Sequence, residues 1–486
     1  MHYKPQLNKP AIKTLLFWIA GTVLLWSCKK GDLLPNLPPD THISIDTIAL
    51  SGPNRLSTEV KLSWYGTDED GFVTGFEISF DKAKWFYTTK QDSTFKFSID
   101  PNSDSSNIQF YVRAIDNKGL ADIEPDHLRI PIRNTPPVAT LDDKSFPEDT
   151  TLLVTTFRWS FNDIDGASTV KKAFLKINTG NWVEIDRSKI LISILPEKPE
   201  VAGSGNALIY YDNQTKSAAE KPDGFINNGL NTFYIKVVDQ SGAESMKDTS
   251  KTVFVKRKTS DLLVLGGQPT PVNAKYKSLI QSVYSQGFDH LDLTIGSGKN
   301  QPKFWSPTFN LIINSYAKVF VNTDQSSFTH QTTGITLTLL EFMAPSFQQF
   351  NNAGGKSFIT TSFQNKADIS GLKGAFTIDS VSKSNGQAVI SSDSVIYSAD
   401  ASYPVLSPSN LLLGCDPHQF APDAESFYKA KLTSFSGWSG PSTVGSRRIS
   451  GGKIKQVFFS VELHLFDKDP AALKKLFDTI LNKDLN

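Results

Sequence analysis

Two cysteines in 486 residues leave no disulfide framework, so the domains of this chain must rest on their own cores. An excess of either charge is also missing: 50 Lys and Arg stand against 49 Asp and Glu, a formal net charge of +1. So neutral a chain lacks the basic footprint that nucleic-acid binding requires, and no nucleic-acid partner is expected. The apolar run from Thr14 to Trp26 would span roughly 20 Å as a helix, against a hydrocarbon core of roughly 30 Å, which is too short for a permanent crossing. What is present, 20% charged and 39% apolar residues with 33 Phe, is the composition of folded globular modules. The length predicts about two to four of them.

Lys4, Lys9 and Lys13 precede the apolar run, which ends in Leu25-Trp26-Ser27-Cys28. This is the pattern of a signal peptide whose last small residue stands directly before a thiol. Cleavage there removes residues 1–27 with three lysines and no acid, and brings the net charge to −2. The stretch resembles a bacterial lipoprotein signal in Leu25, Ser27 and Cys28, and departs from it at Trp26, where a small residue is usual. The resemblance implies acylation of Cys28, with each buried CH₂ contributing about 0.8 kcal/mol to the anchor. Lys29 after the cysteine implies the outer membrane and leaves its face open. The competing reading is an ordinary secretory signal with an incidental cysteine. Residues 28–40, with Pro35, Pro38 and Pro39, predict an extended tether.

From 41 to 134 the pattern has period two. Val60, Leu62 and Trp64 alternate with Lys61, Ser63 and Tyr65, and Ile108, Phe110, Val112 and Ala114 repeat the alternation. Turn clusters at Asp68–Gly71 and Asp116–Gly119 separate short strands, which predicts an antiparallel sandwich. Residues 135–256 repeat it. Trp64 is followed at offsets four, six and seven by Asp68, Asp70 and Gly71, as Trp159 is by Asp163, Asp165 and Gly166. Tyr111 precedes Asp116 and Gly119 as Tyr234 precedes Asp239 and Gly242, and Trp85 and Trp182 stand at similar places. Two motifs in one order predict a duplicated fold. The second copy carries an insertion from about Leu195 to Asn228. Arg113-Ala114-Ile115-Asp116-Asn117-Lys118-Gly119 and Lys236-Val237-Val238-Asp239-Gln240-Ser241-Gly242 resemble fibronectin type III and bacterial immunoglobulin-like modules.

Lys256 to Ser260 reads as a polar joint, and beyond it the period changes. Leu262 to Leu265 is a continuous apolar run bounded by Gly266-Gly267, the pattern of a strand buried on both faces. Helical spacing follows at Tyr276, Leu279, Ile280 and Val283. Strands are predicted at Phe288–Thr294, Ala317–Val321, Ser357–Thr361 and Val457–Val461, with helices near Thr308–Tyr316, from Leu339, and after the Asp469-Pro470 cap. This alternation predicts a doubly wound, flavodoxin-like α/β domain over 260–486. The layout, with Gly354-Gly355-Lys356-Ser357-Phe358-Ile359 and the terminal strand and helix, resembles the class I glutamine-amidotransferase-like fold.

The resemblance implies a Cys nucleophile between glycines after the Ser357–Thr361 strand. The chain has Thr360-Thr361-Ser362-Phe363 there, with neither the cysteine nor its glycines. Glu462 and His464 lie near the last strand in inverted order, so a Ser362/His464 hydrolase is the catalytic candidate, against a plain strand end and a satisfied histidine. Cys415 has His418 three residues on, but nothing before it looks like a buried strand feeding a nucleophile, and two residues are too few for zinc. Gly296-Ser297-Gly298-Lys299 lacks the spacing of a phosphate loop. Asp68, Asp70 and Asp116, and their counterparts Asp163, Asp165 and Asp239, are candidates for a structural calcium site in each sandwich, against the reading that Asp and Gly are good turn residues. Trp438 in a polar loop is a candidate platform for a sugar ring, against a loop anchor. No other cofactor is expected. Taken together, the sequence predicts a lipid-anchored cell-envelope protein with a binding or scaffolding role toward a polysaccharide or another envelope protein. The rival reading is an extracytoplasmic hydrolase with its site in 260–486.

Overall fold

The computed structural model describes residues 35–44, 59–97, 99, 103, 105–294, 300–330, 332–363, 367–381, 387–435 and 438–486. The signal peptide, Cys28 and the Gly296–Lys299 stretch lie outside the described residues. The chain divides after Thr135 into two compact units.

In the first unit, strands Asp40–Ser44, Glu59–Thr67 and Asp92–Lys96 form one antiparallel sheet. Phe86–Thr88, Val73–Ser79, Ser105–Asp116 and Asp126–Arg133 form the other. The alternation read from the sequence decides the packing: Val60, Leu62 and Trp64 face Phe76, Phe110, Val112 and Ala114 in one buried cluster. Trp64 is 2% exposed, with its ring 5.6 Å from that of Phe110. The segment expected to be a tether as far as residue 40 departs from that expectation. The Asn36 amide donates to Asp116, and the Leu37 N–H donates to Asp70 at 3.3 Å, because those carboxylates stand at the sandwich end it crosses.

The second unit opens with the same two-sheet plan. Val138–Leu141, Thr155–Asn162, Leu191–Pro196 and Ala207–Tyr211 make one sheet, and Val183–Ile185, Val170–Ile177, Phe233–Asp239 and Asp248–Thr249 the other. Trp159, Phe157 and Val237 lie in their shared core. The 195–228 insertion adds strands, of which Ala207–Tyr211 widens the first sheet.

Beyond it stands an eight-stranded mixed sheet. Its strands in chain order are β1 (Leu262–Gly267), β2 (Asp289–Asp292), β3 (Lys318–Thr323), β4 (Lys356–Thr360), β5 (Ile396–Tyr397), β6 (Ala424–Ala430), β7 (Thr443–Ser450) and β8 (Lys453–Phe459), and their spatial order is 2-1-3-4-8-7-6-5. The first five in that order are parallel. The last three add on antiparallel. Helices α1 (Thr270–Val283), α2 (Asn310–Asn314), α3 (Leu339–Asn352) and α4 (Pro470–Thr479) cover both faces. Leu263, Val319 and Ile359 point to α2 and α3, whereas Leu262, Phe320 and Phe358 point to α1 and α4, so β1 is buried on both sides. Helix α3 starts at a capping box, Thr338 with Glu341, and the chain leaves it through Gly354 at φ +87°, a conformation that suits glycine. Asp469 caps α4 by accepting from the Ala471 and Ala472 N–H groups.

The polar joint is not a free linker. Leu152, Leu153, Val154 and Leu195 of the sandwich belong to the same apolar cluster as α2 and α3. Each buried side chain of this size is worth about 1.5–3 kcal/mol, enough together to hold sandwich and sheet as one body. Lys258, 9% exposed, pairs with Asp261 at 2.8 Å and Glu200 at 3.4 Å, and Asp289 accepts from the Thr259 N–H at 2.7 Å.

Candidate functional site

Sites in sheets of this kind lie beyond the carboxyl ends of the parallel strands. There the Thr360 hydroxyl donates to the Val461 carbonyl at 2.7 Å and accepts from the Leu463 N–H at 3.0 Å, which pins the end of β4 to the end of β8. That brings Ser362, Glu462 and His464 together. The Ser362 hydroxyl donates to Glu462 Oε1 at 2.7 Å, and His464 Nδ1 lies 3.7 Å from Glu462 Oε2. A serine–histidine–acid relay needs the imidazole between hydroxyl and acid. Here the carboxylate is in the middle. Tyr276 of α1 also holds the histidine, at the same ring nitrogen: its hydroxyl accepts from the His464 backbone N–H at 2.9 Å and lies 3.3 Å from Nδ1. Burial pushes the His464 pKa below its usual value, with Glu462 opposing and Lys275 assisting. Among the described residues, non-glycine backbone in the left-handed region occurs at Lys82, Leu153, Asn178, Asp212 and Asn228, not at Ser362. The strained turn that lifts a nucleophile clear of its sheet is therefore not built. Ser362 does line a cleft of about 180 Å³ with Phe363, Asp324, Ser327 and Glu341.

Cys415 and His418 do not form a thiol–imidazole pair. Cys415 is buried among apolar side chains, and burial, with Asp416 adding to it, pushes its thiol pKa upward. His418 is fully buried, with Nδ1 2.9 Å from the Ser460 hydroxyl and Nε2 2.8 Å from the Ser446 hydroxyl. Both ring nitrogens are occupied by serines, and burial lowers the His418 pKa to about 3.

The sandwich aspartates spend their oxygens on local turn contacts. Asp116 Oδ1 accepts from the Lys118 and Leu120 N–H groups, both at 2.8 Å, and Asp239 Oδ1 accepts from those of Ser241 and Ala243, both at 2.9 Å. Asp70 pairs with Lys118 at 3.1 Å, and Asp68 accepts from the Asp70 N–H at 3.3 Å. Asp163 accepts from the Asp165 N–H at 2.9 Å and the Thr169 hydroxyl at 2.6 Å. Burial pushes the Asp163 pKa up, and the charges of Asp165 and Asp239 add to it. These oxygens close turns. Among the described residues no group of three or more His, Cys, Asp or Glu is placed to hold a metal ion. Trp438 is half-buried beside residues 436–437, which lie outside the described set.

A second cavity is one the sequence did not announce. It is a cleft of about 420 Å³ between the second sandwich and the α/β sheet, walled by Glu148–Leu152 on one side and His290–Asp292 on the other. The segment from Asn300 to Thr308 closes its floor. Lys303 Nζ donates to the Lys144 carbonyl at 2.6 Å, the Thr308 hydroxyl donates to that of Thr156 at 2.7 Å, and the Arg158 guanidinium lies 5.0 Å over the Phe304 ring. The one sequence signal for its sandwich wall was the Thr- and Val-rich run Thr150-Thr151-Leu152-Leu153-Val154-Thr155-Thr156 after Pro147.

No protein-family model matches the chain, and no curated protein matches it. Among solved structures the chain is similar to the fibronectin(III)-like modules of Clostridium thermocellum CbhA, at 12% identity over 44% of this chain and 94% of that one, with a TM-score of 0.17. It is similar also to a segment of two fibronectin type III domains from chicken tenascin, at 12% identity over 45% and 98%, with a TM-score of 0.21. The architecture rests on the strand pairing above rather than on overlays of this quality.

Proposed function

We propose that the chain is a lipid-anchored protein of the bacterial outer membrane that works by binding, with its two β-sandwiches and α/β domain tethered through acylated Cys28. The α/β part has the strand order 2-1-3-4 followed by a fifth parallel strand, with helices on both faces, which supports the flavodoxin-like, doubly wound reading and the likeness to class I glutamine amidotransferases. The observation that carries the binding reading is the order of the three groups at the nucleophile position. Ser362 donates to Glu462 rather than to an imidazole, and His464 Nδ1 is shared between Glu462 and the Tyr276 hydroxyl, so the histidine does not stand between serine and acid. A polysaccharide or another envelope protein is the partner class.

One observation favours the rival hydrolase: Ser362 opens onto a cleft and already donates to a carboxylate, which is a candidate base. A panel of ester, amide and glycoside substrates incubated with the whole mature chain separates the two. No turnover is expected, and turnover abolished by Ser362→Ala overturns the binding reading. For the anchor, metabolic labelling with an alkynyl fatty acid is expected to mark the wild type and to leave Cys28→Ser unmarked; an unlabelled wild type removes it.

A further inference from the structure

Two sheets end at the 420 Å³ cleft, each in a strand paired on one side. Thr150–Leu152 is the outermost strand of a three-stranded sheet and, among the described residues, pairs in parallel with Val253–Lys256 alone. Strand β2 is the outermost strand of the eight-stranded sheet and, among the described residues, pairs with β1 alone. The Phe254 N–H donates to the Asp149 carbonyl at 2.8 Å, and the Leu153 N–H donates to that of Lys256 at 3.0 Å. Alternation then turns the backbone groups of Thr150 and the N–H of Leu152 away from the partner strand. On β2 the Leu293 N–H reaches Gly266 at 2.7 Å, so His290 and Asp292 face outward. The Asn300 amide confirms that direction by donating to the Asp292 carbonyl at 3.0 Å.

Proteins ordinarily protect such edges, because a row of outward N–H and C=O groups is a template for another strand. Here two of them wall one cavity. Burial holds the His290 pKa below its usual value, so the charged side chains are Lys256 and Lys303 against Glu148, Asp149 and Asp292; with Asp292 held by Lys277 at 2.8 Å the others balance, and recognition falls to the backbone. Its aromatic ring, Phe304, is 8% exposed with Arg158 over its face, which leaves a sugar ring nowhere to stack. Leu291 lines the cavity half-buried and offers an apolar contact, whereas Leu152 and Ile312, 6% and 2% exposed, are taken up by the core beneath it.

We propose that this cleft receives an extended polypeptide segment of a partner protein, three to four residues of which pair as an added strand with an open edge. The segment matches the three residues of one edge and the four of the other, about 10–13 Å at roughly 3.3 Å per residue. The inference rests on the binding reading and names its ligand.

The test is selection of a random nonapeptide display library on the whole mature chain. The expected result is enriched peptides whose affinity falls at least tenfold in Thr150→Pro or His290→Pro. Each variant removes one outward N–H, a change that edge strands tolerate, and melting checks that each stays folded. N-methylation at alternate peptide positions is expected to abolish binding while the intervening positions tolerate it, a readout that needs no protein variant. Enriched peptides indifferent to both proline variants and to N-methylation, or no enrichment at all, overturn the proposal. Binding of an oligosaccharide from a glycan array that is lost in Lys303→Ala would also overturn it while keeping the binding reading. Substrate turnover would remove both.

Discussion

The Arg113 guanidinium lies 4.3 Å over the Trp85 ring, and Lys236 lies 5.2 Å over the Trp182 ring at the matching place in the second sandwich. Glu77 holds Arg113 at 2.6 Å, and Glu244 holds Lys236 at 2.8 Å. The Tyr two residues earlier repeats the pattern, Tyr111 under Lys82 at 4.6 Å and Tyr234 under Lys247 at 5.1 Å. A cation over an aromatic face is worth about 0.5–1 kcal/mol at exposed sites. The ion pair adds up to about 1 kcal/mol. Arg113→Ala and Lys236→Ala are therefore expected to lower stability in urea by about 1–2 kcal/mol each, the first in residues up to 135 and the second in the rest. Wild-type midpoints in both variants would show the stacks to be ornamental.

Tyr276→Phe tests the lock on His464. The hydroxyl is the acceptor for the buried His464 N–H, and removing it strands that donor at a cost of about 1–3 kcal/mol. Thermal melting is expected to fall accordingly, with no activity appearing on ester, amide or glycoside substrates. A variant as stable as the wild type would mean that the histidine is held by something else.

How far these features could be read from the chain depends on the distance between partners. The apolar run Leu262–Leu265, the cap at Asp469 and the Trp64 and Trp159 repeats are local signals, and each gives its element directly. Ser362 and Glu462 are 100 positions apart, Tyr276 and His464 are 188 apart, and nothing local marks either pair. The strands between Thr361 and Gly452 were equally silent, because β5, β6 and β7 owe their existence to pairing in a sheet that closes only at β8. The aspartates show the opposite failure. Their spacing is a strong local signal, but it fits a turn that the backbone itself satisfies as well as it fits a metal site.

Calcium is accordingly expected to leave the melting temperature unchanged. Asp116 and Asp239 already accept two backbone N–H groups each on one oxygen, and Asp70 is paired with Lys118. An ion would have to break these contacts before gaining its six to eight oxygens. Differential scanning calorimetry in millimolar calcium and in chelator decides it, and a rise of several degrees with the ion would restore the site.

Asp416 and His418 oppose one another in acid. Asp416 is 5% exposed with Oδ2 buried, and burial raises its pKa to about 6 from the usual 3.8. A carboxyl that binds its proton more tightly when folded stabilises the fold below pH 4 and loses that contribution as the pH rises through about 6. The difference at neutral pH is about 3 kcal/mol. His418 runs the other way. Its pKa falls from 6.5 to about 3 on burial, so its contribution is full above pH 6.5 and is lost as the pH drops through that window. In the wild type the two slopes partly cancel between pH 4 and 6. Asp416→Asn is expected to raise stability at pH 7.5 and to expose the histidine slope, so that urea midpoints fall more steeply from pH 6.5 to 4 than in the wild type. Parallel profiles for the two proteins would show that the Asp416 carboxyl titrates as it does in the unfolded chain.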